Sequence, residues 1–485
     1  MKNTLNTAPS CKQSHNIILG IDVGTTGIRG CIVKRAINNT LDEQVIYEHS
    51  VTMPEARSSH AQSRIHKLSQ SSDTWINCLN ELLEILSKNS DLSAVTHIIC
   101  DATSSTVLLI DSKGKALTEA LMYNDSHAVD KAELISEATV NTHINSAAHG
   151  ASSTLAKALK LTGMFHKHDD INICHQADFI NQFFCGAMNI TDENNALKLG
   201  YDSVDQAWPK WVVDLLQTHN VKLQLPQVVT PGTFIGKIRL ELVKRYKFNP
   251  NLTVNAGTTD SIAGFLAAGA SKPGEAVSSL GSTIAIKAIS DKPIFNSQYG
   301  LYSHKLNNDW LIGGASNAGG LVLLNYYTFE QLERLINYIE FNQLSLTDKE
   351  FKVDDQLMDE PTKNWLPQYY PLLKDGERFP IADTQLKPQL PEQPKTPAQT
   401  IFESKENLDQ HAKFLFKLLQ GLAAIEKLGY LRLEQLGAPK IQTVYTVGGG
   451  TKNCAWMSLR EQLLTANIKQ ATNSQAAFGV TRLIH

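Results

Sequence analysis

NIILGIDVGTTGIRGCIVK, residues 16–34, places one carboxylate, Asp22, in a sharp bend between two apolar runs. The runs at residues 17–21 and 28–33 are short and rich in β-branched side chains, which predicts two strands. The glycine and two threonines between them predict a tight turn. An ordinary hairpin tip would look the same, so the rest of the chain must decide what Asp22 does.

The composition indicates a globular protein with two or three domains. The chain has 485 residues, of which 42% are hydrophobic and 19% charged, with a formal net charge of -3. This balance gives no reason to expect a nucleic-acid partner. The seven cysteines are scattered without a CxxC pair, the first sixteen residues are polar, and no apolar run has the length of a membrane span. We therefore expect a cytoplasmic protein with neither a zinc site nor a disulfide framework.

Strand-like and helical patterns alternate along the chain. Residues 75–86 carry leucines at helical spacing, whereas residues 95–100 and 107–111 are short apolar runs typical of strands. This alternation predicts an α/β fold. A turn cluster at residues 248–251 precedes a new strand–turn–helix unit, which predicts one domain over 1–253 and a second over 254–485.

Two further glycine turns resemble the turn after Asp22. AGTTD, residues 256–260, ends a strand and places Asp260 at the start of a helix, and VSSLGSTIAIK, residues 277–287, predicts a second hairpin with a glycine–hydroxyl tip. Glycine lets backbone N–H groups approach an anion, and hydroxyl groups add hydrogen-bond donors without charge. Each half of the chain is therefore predicted to carry a turn that binds phosphate. The sequence has neither a P-loop nor a dinucleotide-binding glycine motif.

A run of three glycines, residues 448–450, lies between a predicted strand and a predicted helix. Such a run favours a backbone surface against which a flat group such as a nucleoside can lie. A flexible loop is the alternative.

The ordered set of motifs resembles the FGGY family of carbohydrate kinases, within the actin/Hsp70/sugar-kinase superfamily. GIDVGTTGIR and PGEAVSSLGST resemble the family's two phosphate motifs, GTTD its catalytic-aspartate segment, and VGGGTKN its adenosine motif. LMYNDSHA, DFINQFFCGAMNITDENNALKLGYD and DGERFP resemble substrate-side segments. The resemblance implies two ribonuclease-H-like (actin-like ATPase) domains with a cleft between them.

The resemblance also implies a reaction and a set of roles. ATP and Mg²⁺ would support phosphoryl transfer to a sugar hydroxyl, with Asp260 and Asp22 as catalytic residues, Asp22 holding Mg²⁺ through water, and Asp125 and Asp260 binding the sugar. The residues implied in ATP binding are Thr25, Thr26, Arg29, Gly281, Ser282, Thr283, Gly449, Gly450 and Asn453.

Three of these roles have simpler alternatives. Arg29 could be a solvated residue at a strand edge. Asp125 could cap the helix expected to begin near Ser126, and Asp260 could cap its own helix.

Departures from the family pattern concern mainly the substrate side and packing. A tryptophan of the family's first signature is replaced by Lys160, and a glutamate near the C-terminus by Gln475. SSTVLLIDSKGKAL and LMYNDSHA are closer to a D-ribulose kinase-like branch, so a ketopentose such as D-ribulose or D-xylulose is the expected substrate. The different class left open is a regulator or chaperone-like protein that binds nucleotide without phosphotransfer. The expected partner is a small sugar, and a homodimer is left open.

Overall fold

The computed structural model describes residues 15–37, 39–59, 67–140, 146–163, 171–341 and 366–484. The expectation about the first sixteen residues falls almost entirely outside these ranges. Within them, helices and strands alternate in an α/β fold, as predicted. None of the helices in these ranges combines the length and the apolar character that crossing a membrane requires.

The strands are numbered here in chain order over the described ranges. They are β1 (His15–Val23), β2 (Gly27–Ala36), β3 (Asn39–Thr52), β4 (Arg57–Ser59), β5 (Lys67–Gln70), β6 (His97–Ala102), β7 (Val107–Ile110), β8 (Ala120–Leu121), β9 (Asn172–His175), β10 (Ile190–Asp192), β11 (Gln227–Val229), β12 (Phe234–Lys237), β13 (Thr253–Thr259), β14 (Glu275–Leu280), β15 (Ile284–Ser290), β16 (His304–Leu306), β17 (Asp309–Ala315), β18 (Thr443–Val447) and β19 (Asn467–Gln470).

The α-helices are numbered in the same way. They are α1 (Ser72–Asn89), α2 (Val129–Thr139), α3 (Thr154–Thr162), α4 (Gln176–Cys185), α5 (Glu193–Ala196), α6 (Lys210–Thr218), α7 (Leu240–Tyr246), α8 (Asp260–Ala268), α9 (Gly320–Leu324), α10 (Phe329–Phe341), α11 (Lys405–Gln435), α12 (Cys454–Leu463) and α13 (Ala476–Gly479).

Two six-stranded sheets share one topology over five of their strands. The first has the order β12-β13-β6-β1-β2-β3 and the second the order β16-β17-β15-β14-β18-β19. In the first, β1, β2 and β3 are antiparallel neighbours, while β6 and β13 follow in parallel on the other side of β1. In the second, β14, β15 and β17 are the antiparallel set, and β18 and β19 are the parallel pair. The internal repeat suggested by the two hairpins thus extends to five strands in each sheet.

The predicted division between residues 253 and 254 falls within one element. β13 pairs with β6 in the first sheet, and β14 is the first strand of the second sheet. The change from one sheet to the other therefore lies between Thr259 and Glu275. The domain boundary itself stays a prediction.

The apolar periodicity of the sequence places helices on both sheets. In α1 the predicted leucines (Leu79, Leu82, Leu83 and Leu86) are all buried in the core of the first sheet. The pattern after residue 407 predicts a long helix or a helix pair, and α11 is one continuous helix whose buried side belongs to the second core.

The last described residues connect the two sheets. α13 lies so close to β1 that a Cβ atom at Gly20 would be 1.9 Å from the carbonyl oxygen of Ala477. A Cβ at Gly479 would similarly be 1.8 Å from the carbonyl oxygen of Ala263 in α8. These approaches require glycine, and they hold α8, which begins with Asp260, against the first sheet.

Candidate active site

Asp22 is the penultimate residue of β1, directly opposite Arg29 of β2. Arg29 Nη1 lies 2.9 Å from Asp22 Oδ2, and the Arg29 side chain is 47% exposed whereas that of Asp22 is almost fully buried. Burial raises the pKa of Asp22, and the charge and hydrogen bond of Arg29 oppose this effect. The alternative that Arg29 is a solvated residue is therefore correct in part, because its side chain is exposed but paired with Asp22. An ion pair with one partner this exposed to water contributes little to the stability of the fold.

Asp101 is a site residue that the sequence analysis missed. It lies in β6 directly opposite Asp22 on the neighbouring parallel strand, so the two side chains are on the same face of the sheet. Asp101 is fully buried, and neither of its carboxyl oxygens accepts a hydrogen bond from an N–H or a hydroxyl group in the described part of the chain. Its side-chain partner is the Asp22 carboxyl group, with which it interacts by a hydrogen bond. Burial and the charges of Asp22 and Asp260 raise its pKa well above the usual range. The sequence feature that could have indicated Asp101 is its position directly after the strand-like apolar run 95–100.

Asp260 is the first residue of α8, and its Oδ1 accepts a hydrogen bond from the Ser261 N–H at 2.6 Å. Thr259 occupies the N-cap position, but its side chain makes no capping hydrogen bond. Because the Asp260 carboxylate accepts a first-turn N–H, the alternative that it caps its helix stays open. Burial raises the pKa of Asp260, with a further increase from the charge of Asp22. The Ser261 N–H lowers this pKa, as expected at a helix N-terminus, but burial outweighs it.

Two lysines lie near Asp260, and both were missed in the sequence. The charges of Lys287 and Lys198 lower the pKa of Asp260. Lys287 Nζ donates to the carbonyl oxygen of Ser261 at 2.7 Å. Lys287 and Ser261 also line a cavity of about 600 Å³ on the second-domain side, together with Tyr302 and residues near Glu377. The cavity therefore begins next to the predicted base.

The two hairpin tips have the predicted composition and position. β1 and β2 enclose a turn in which Thr25 is partly buried and Thr26 exposed, and β14 and β15 enclose residues 281–283. The second tip is held by the start of α9, because the Gly320 N–H donates to the Gly281 carbonyl oxygen at 2.9 Å. A Cβ at Gly319 would lie 2.4 Å from Cα of Thr283.

The glycine run after β18 is ordered by its neighbours. Gly448 has φ 94°, and a Cβ at Gly450 would lie 2.6 Å from Cβ of Leu280. By contrast, a Cβ at Gly449 would meet no atom within 4 Å. Asn453 caps α12, accepting from the Trp456 N–H at 3.0 Å. The predicted flexible-loop alternative does not describe this segment, since it forms a 3₁₀ turn that leads directly into α12.

Asp125 is buried in the first half of the chain, and each of its carboxyl oxygens has a hydrogen-bond partner. It accepts from the Leu68 N–H at 2.8 Å and is 2.8 Å from His127 Nδ1. The alternative that Asp125 caps the following helix is wrong, because α2 begins at Val129 and Ala128 is its N-cap residue. None of these hydrogen bonds reaches Asp22 or Asp260, so contact with a sugar stays a prediction.

Two of the substrate-side segments reach the neighbourhood of Asp260. Asn194 Nδ2 donates to Thr258 Oγ1 in β13 and to the Lys305 carbonyl oxygen in β16, each at 3.1 Å. In the DGERFP segment, buried Glu377 accepts from Ser316 Oγ at 2.5 Å. Its carboxylate also accepts from the Asn317 N–H at 2.8 Å, so this acid organises a loop at the cavity.

The residues around Asp22 fit a hydrated magnesium ion. Proteins bind Mg²⁺ through one or two carboxylates, with waters and substrate phosphates as the other ligands. Asp22 and Asp101 are two such carboxyl groups, and the oxygens of Asp101 accept from no N–H or hydroxyl group of the described residues. Over the described residues, no cluster of three or more His, Cys, Asp or Glu side chains could hold a metal alone. An ion here would therefore need water and phosphate ligands.

Comparison with known proteins agrees with this architecture. Residues 17–267 match the model of the N-terminal domain of the FGGY family of carbohydrate kinases. A xylulose kinase of Staphylococcus xylosus is 20% identical over 96% of this chain and 90% of its own length. A gluconokinase of Bacillus licheniformis is 22% identical over 63% of this chain and 58% of its own length.

Solved structures show the same fold. The xylulose kinase from Rhodospirillum rubrum has a TM-score of 0.69 at 20% identity, covering 96% of this chain and 89% of that one. The two sheets described above are accordingly the two actin-like ATPase domains of this fold. The chain belongs to the FGGY family of carbohydrate kinases, and it is a sugar kinase that uses ATP to phosphorylate a small-molecule sugar.

Proposed function

We propose that the acceptor of this sugar kinase is a ketopentose, such as D-ribulose or D-xylulose, and that Mg²⁺-ATP is the phosphoryl donor. The observation that carries the proposal is the placement of Asp260 within the electrostatic reach of Asp22. Asp260 directly follows β13 and Asp22 lies near the carboxyl end of β1, and these two parallel strands flank β6. Relatives that are named xylulose kinases support the choice of a ketopentose. A gluconokinase among the relatives makes a sugar acid the second acceptor to test.

Asp260 acts in this proposal as the general base. The acceptor hydroxyl oxygen bonds to the γ-phosphorus while the bond from that phosphorus to the bridging oxygen of ADP breaks. The hydroxyl proton passes to the Asp260 carboxylate, which must therefore be ionised beforehand. Because burial raises the pKa of Asp260, activity should increase with pH as this group loses its proton, above the range of an ordinary aspartate.

Asp22 would hold Mg²⁺ through water, and Asp101 on the next strand could share that role. The ion would neutralise charge on the transferring phosphoryl group. Arg29, which is paired with Asp22, would contribute positive charge next to the same carboxylate.

The two hairpin tips would bind the phosphates, and the glycine turn would bind adenosine. The residues assigned to phosphate are Thr25, Thr26, Gly281, Ser282 and Thr283. Gly449 offers open backbone for the nucleoside, with Gly450 and Asn453 beside it. Asn453 Oδ1 already caps α12, so its amide nitrogen is the group left for adenosine.

Asp125 and Asp260 would bind the acceptor hydroxyls from the two domains, and a homodimer stays a prediction that size-exclusion measurements can test. The deciding experiment is an ADP-release assay with Mg²⁺-ATP and a panel of ketopentoses, ketohexoses, polyols and aldonates. D-ribulose or D-xylulose should give the highest kcat/KM. Equal rates with every acceptor, matching the rate without acceptor, would contradict the proposal.

A further inference from the structure

Lys287 connects a strand of the second sheet to the helix that begins with Asp260. It lies in β15, and its ammonium donates to the carbonyl oxygen of Ser261, the second residue of α8, at 2.7 Å. This bond fixes the first turn of α8 relative to the second sheet. The position of Asp260, one residue earlier, depends on that same turn.

Charges face Asp260 from several elements. Asp22 at the end of β1 is acidic, and its charge raises the pKa of Asp260. Asp101 at the end of β6 is a second acidic neighbour, and the charge of Asp260 raises its pKa in turn. Lys287 from β15 and Lys198 from the turn after α5 are cationic and oppose the effect of Asp22, as does the Ser261 N–H. Because burial and the charge of Asp22 both disfavour an ionised Asp260, its charged form depends on the cations beside it.

We propose that Lys287 is a positioning residue, which orients the first turn of α8 and keeps the Asp260 carboxylate charged and ready to accept the hydroxyl proton. This inference rests on the proposed role of Asp260 as the base. It assigns Lys287 a task that the motif resemblance does not include. Its ammonium acts through Asp260 and Ser261 and does not itself take the proton.

The charge interaction between Asp260 and Lys287 changes the pKa of both groups. Burial lowers the pKa of Lys287 to about 8, while the charge of Asp260 raises it. At neutral pH the lysine is therefore mainly charged. The same cations, together with burial, lower the pKa of His304 on the cavity wall to about 3, so that histidine stays neutral and does not compete as a charge partner.

The experiment compares Lys287→Met, Lys287→Arg and the control Lys292→Met, an exposed lysine just beyond the same strand. We expect Lys287→Met to lower kcat/KM at pH 7 about tenfold and to move the acid limb of the pH profile up by about one unit. Lys287→Arg keeps the positive charge, so its kcat/KM and its acid limb should both lie close to those of the wild type. Lys292→Met should match the wild type in both quantities. An unmoved acid limb would overturn the inference, as would a change confined to the KM of the sugar, which would indicate direct contact with the acceptor.

A second measurement does not depend on which sugar is phosphorylated. Infrared titration of protein labelled with ¹³C-carboxyl aspartate can identify the Asp260 band by its loss in Asp260→Asn. In Lys287→Met the midpoint of that band should move to higher pH, and an unchanged midpoint would overturn the inference. If the wild type phosphorylates no acceptor, the proposed function fails while this titration still decides the role of Lys287.

Discussion

The two sheets repeat one topology but differ at equivalent strand ends. In the first sheet the penultimate residue of β1, Asp22, is opposite Arg29 and Asp101. In the second sheet the penultimate residue of β14 is Ser279, which lies opposite Ala285 and Val447. The first sheet thus carries three ionisable side chains at positions where the second carries none.

This difference gives the two sheets different chemical roles in the site. Carboxylates at the ends of β1, β6 and β13 suit a metal ion and a hydroxyl proton, whereas a glycine run after β18 suits the neutral surface of a nucleoside. A repeated fold therefore provides two similar frames, and the residues at the strand ends determine their chemistry. Substitutions at these strand ends test this division of roles between the two sheets.

The largest effect is expected for the carboxylate that follows β13. Asp260→Asn removes the proton acceptor but keeps the size of the side chain, so kcat should fall by about 10² or more. The free energy of unfolding should change little, because the asparagine amide oxygen can still accept the hydrogen bond from the Ser261 N–H. Steady-state kinetics and chemical denaturation measure the two quantities. Near-normal turnover, or a loss of activity explained by unfolding, would contradict the assignment.

The next effect concerns Asp22 and its counterpart Ser279. Asp22→Ala should abolish most of the magnesium-dependent turnover, by about 10² at saturating Mg²⁺, while sugar binding persists. The matched variant Ser279→Ala, at the equivalent position of the second sheet, should leave the magnesium dependence unchanged. Titration of activity with Mg²⁺ distinguishes the two variants. Wild-type kcat in Asp22→Ala would show that Asp22 is only a hairpin residue.

The different chemical roles of the two sheets could be predicted from the sequence only in part. Local signals were sufficient for the two hairpins, for the strand–turn–helix unit around Asp260 and for the glycine run, because each lies within about twenty consecutive residues. Asp101 and Lys287 were missed because their partners are distant in sequence: Asp101 meets Asp22 only through the parallel pairing of β6 with β1. For Asp125, the helix-cap alternative was wrong, and its actual backbone partner, Leu68, could not be predicted because it lies 57 residues away.

A smaller effect is expected for nucleotide affinity in the second sheet. Gly449→Val should weaken ATP binding by about 1–3 kcal/mol with the fold intact, because a Cβ there meets no protein atom within 4 Å. The control Gly450→Val should instead destabilise the protein, since its Cβ would collide with Leu280 and Trp456. Calorimetry with ATP and thermal unfolding separate the two outcomes. Unchanged ATP affinity in a folded Gly449→Val protein would remove the adenosine assignment.

The smallest effect extends the comparison to buried cations away from the strand ends. In the first domain, fully buried Lys157 donates to the carbonyl oxygens of Ser105, Met122 and Tyr123 at 2.7–3.0 Å. In the second, fully buried Arg460 makes two hydrogen bonds to Glu426, at 2.6 and 2.8 Å. Burial lowers the pKa of Lys157 from 10.5 to about 7. Burial acts in the same direction on Arg460, but the charge and hydrogen bonds of Glu426, together with other nearby acidic groups, outweigh it and raise the pKa of that arginine.

These opposite shifts predict that only the first cation makes stability depend on pH. Between pH 7 and 10.5 the unfolded chain holds a proton on Lys157 that the folded protein has partly released, so the free energy of unfolding should rise with pH. The slope contributed by one such group is at most about 1.4 kcal/mol per pH unit. Denaturation of the wild type and Lys157→Met at pH 7.5 and 8.5 (roughly the middle of this window) measures it, and the slope should be smaller in the variant. Equal slopes would mean that the three carbonyl oxygens keep the ammonium charged throughout, and both domains would then bury a permanent cation.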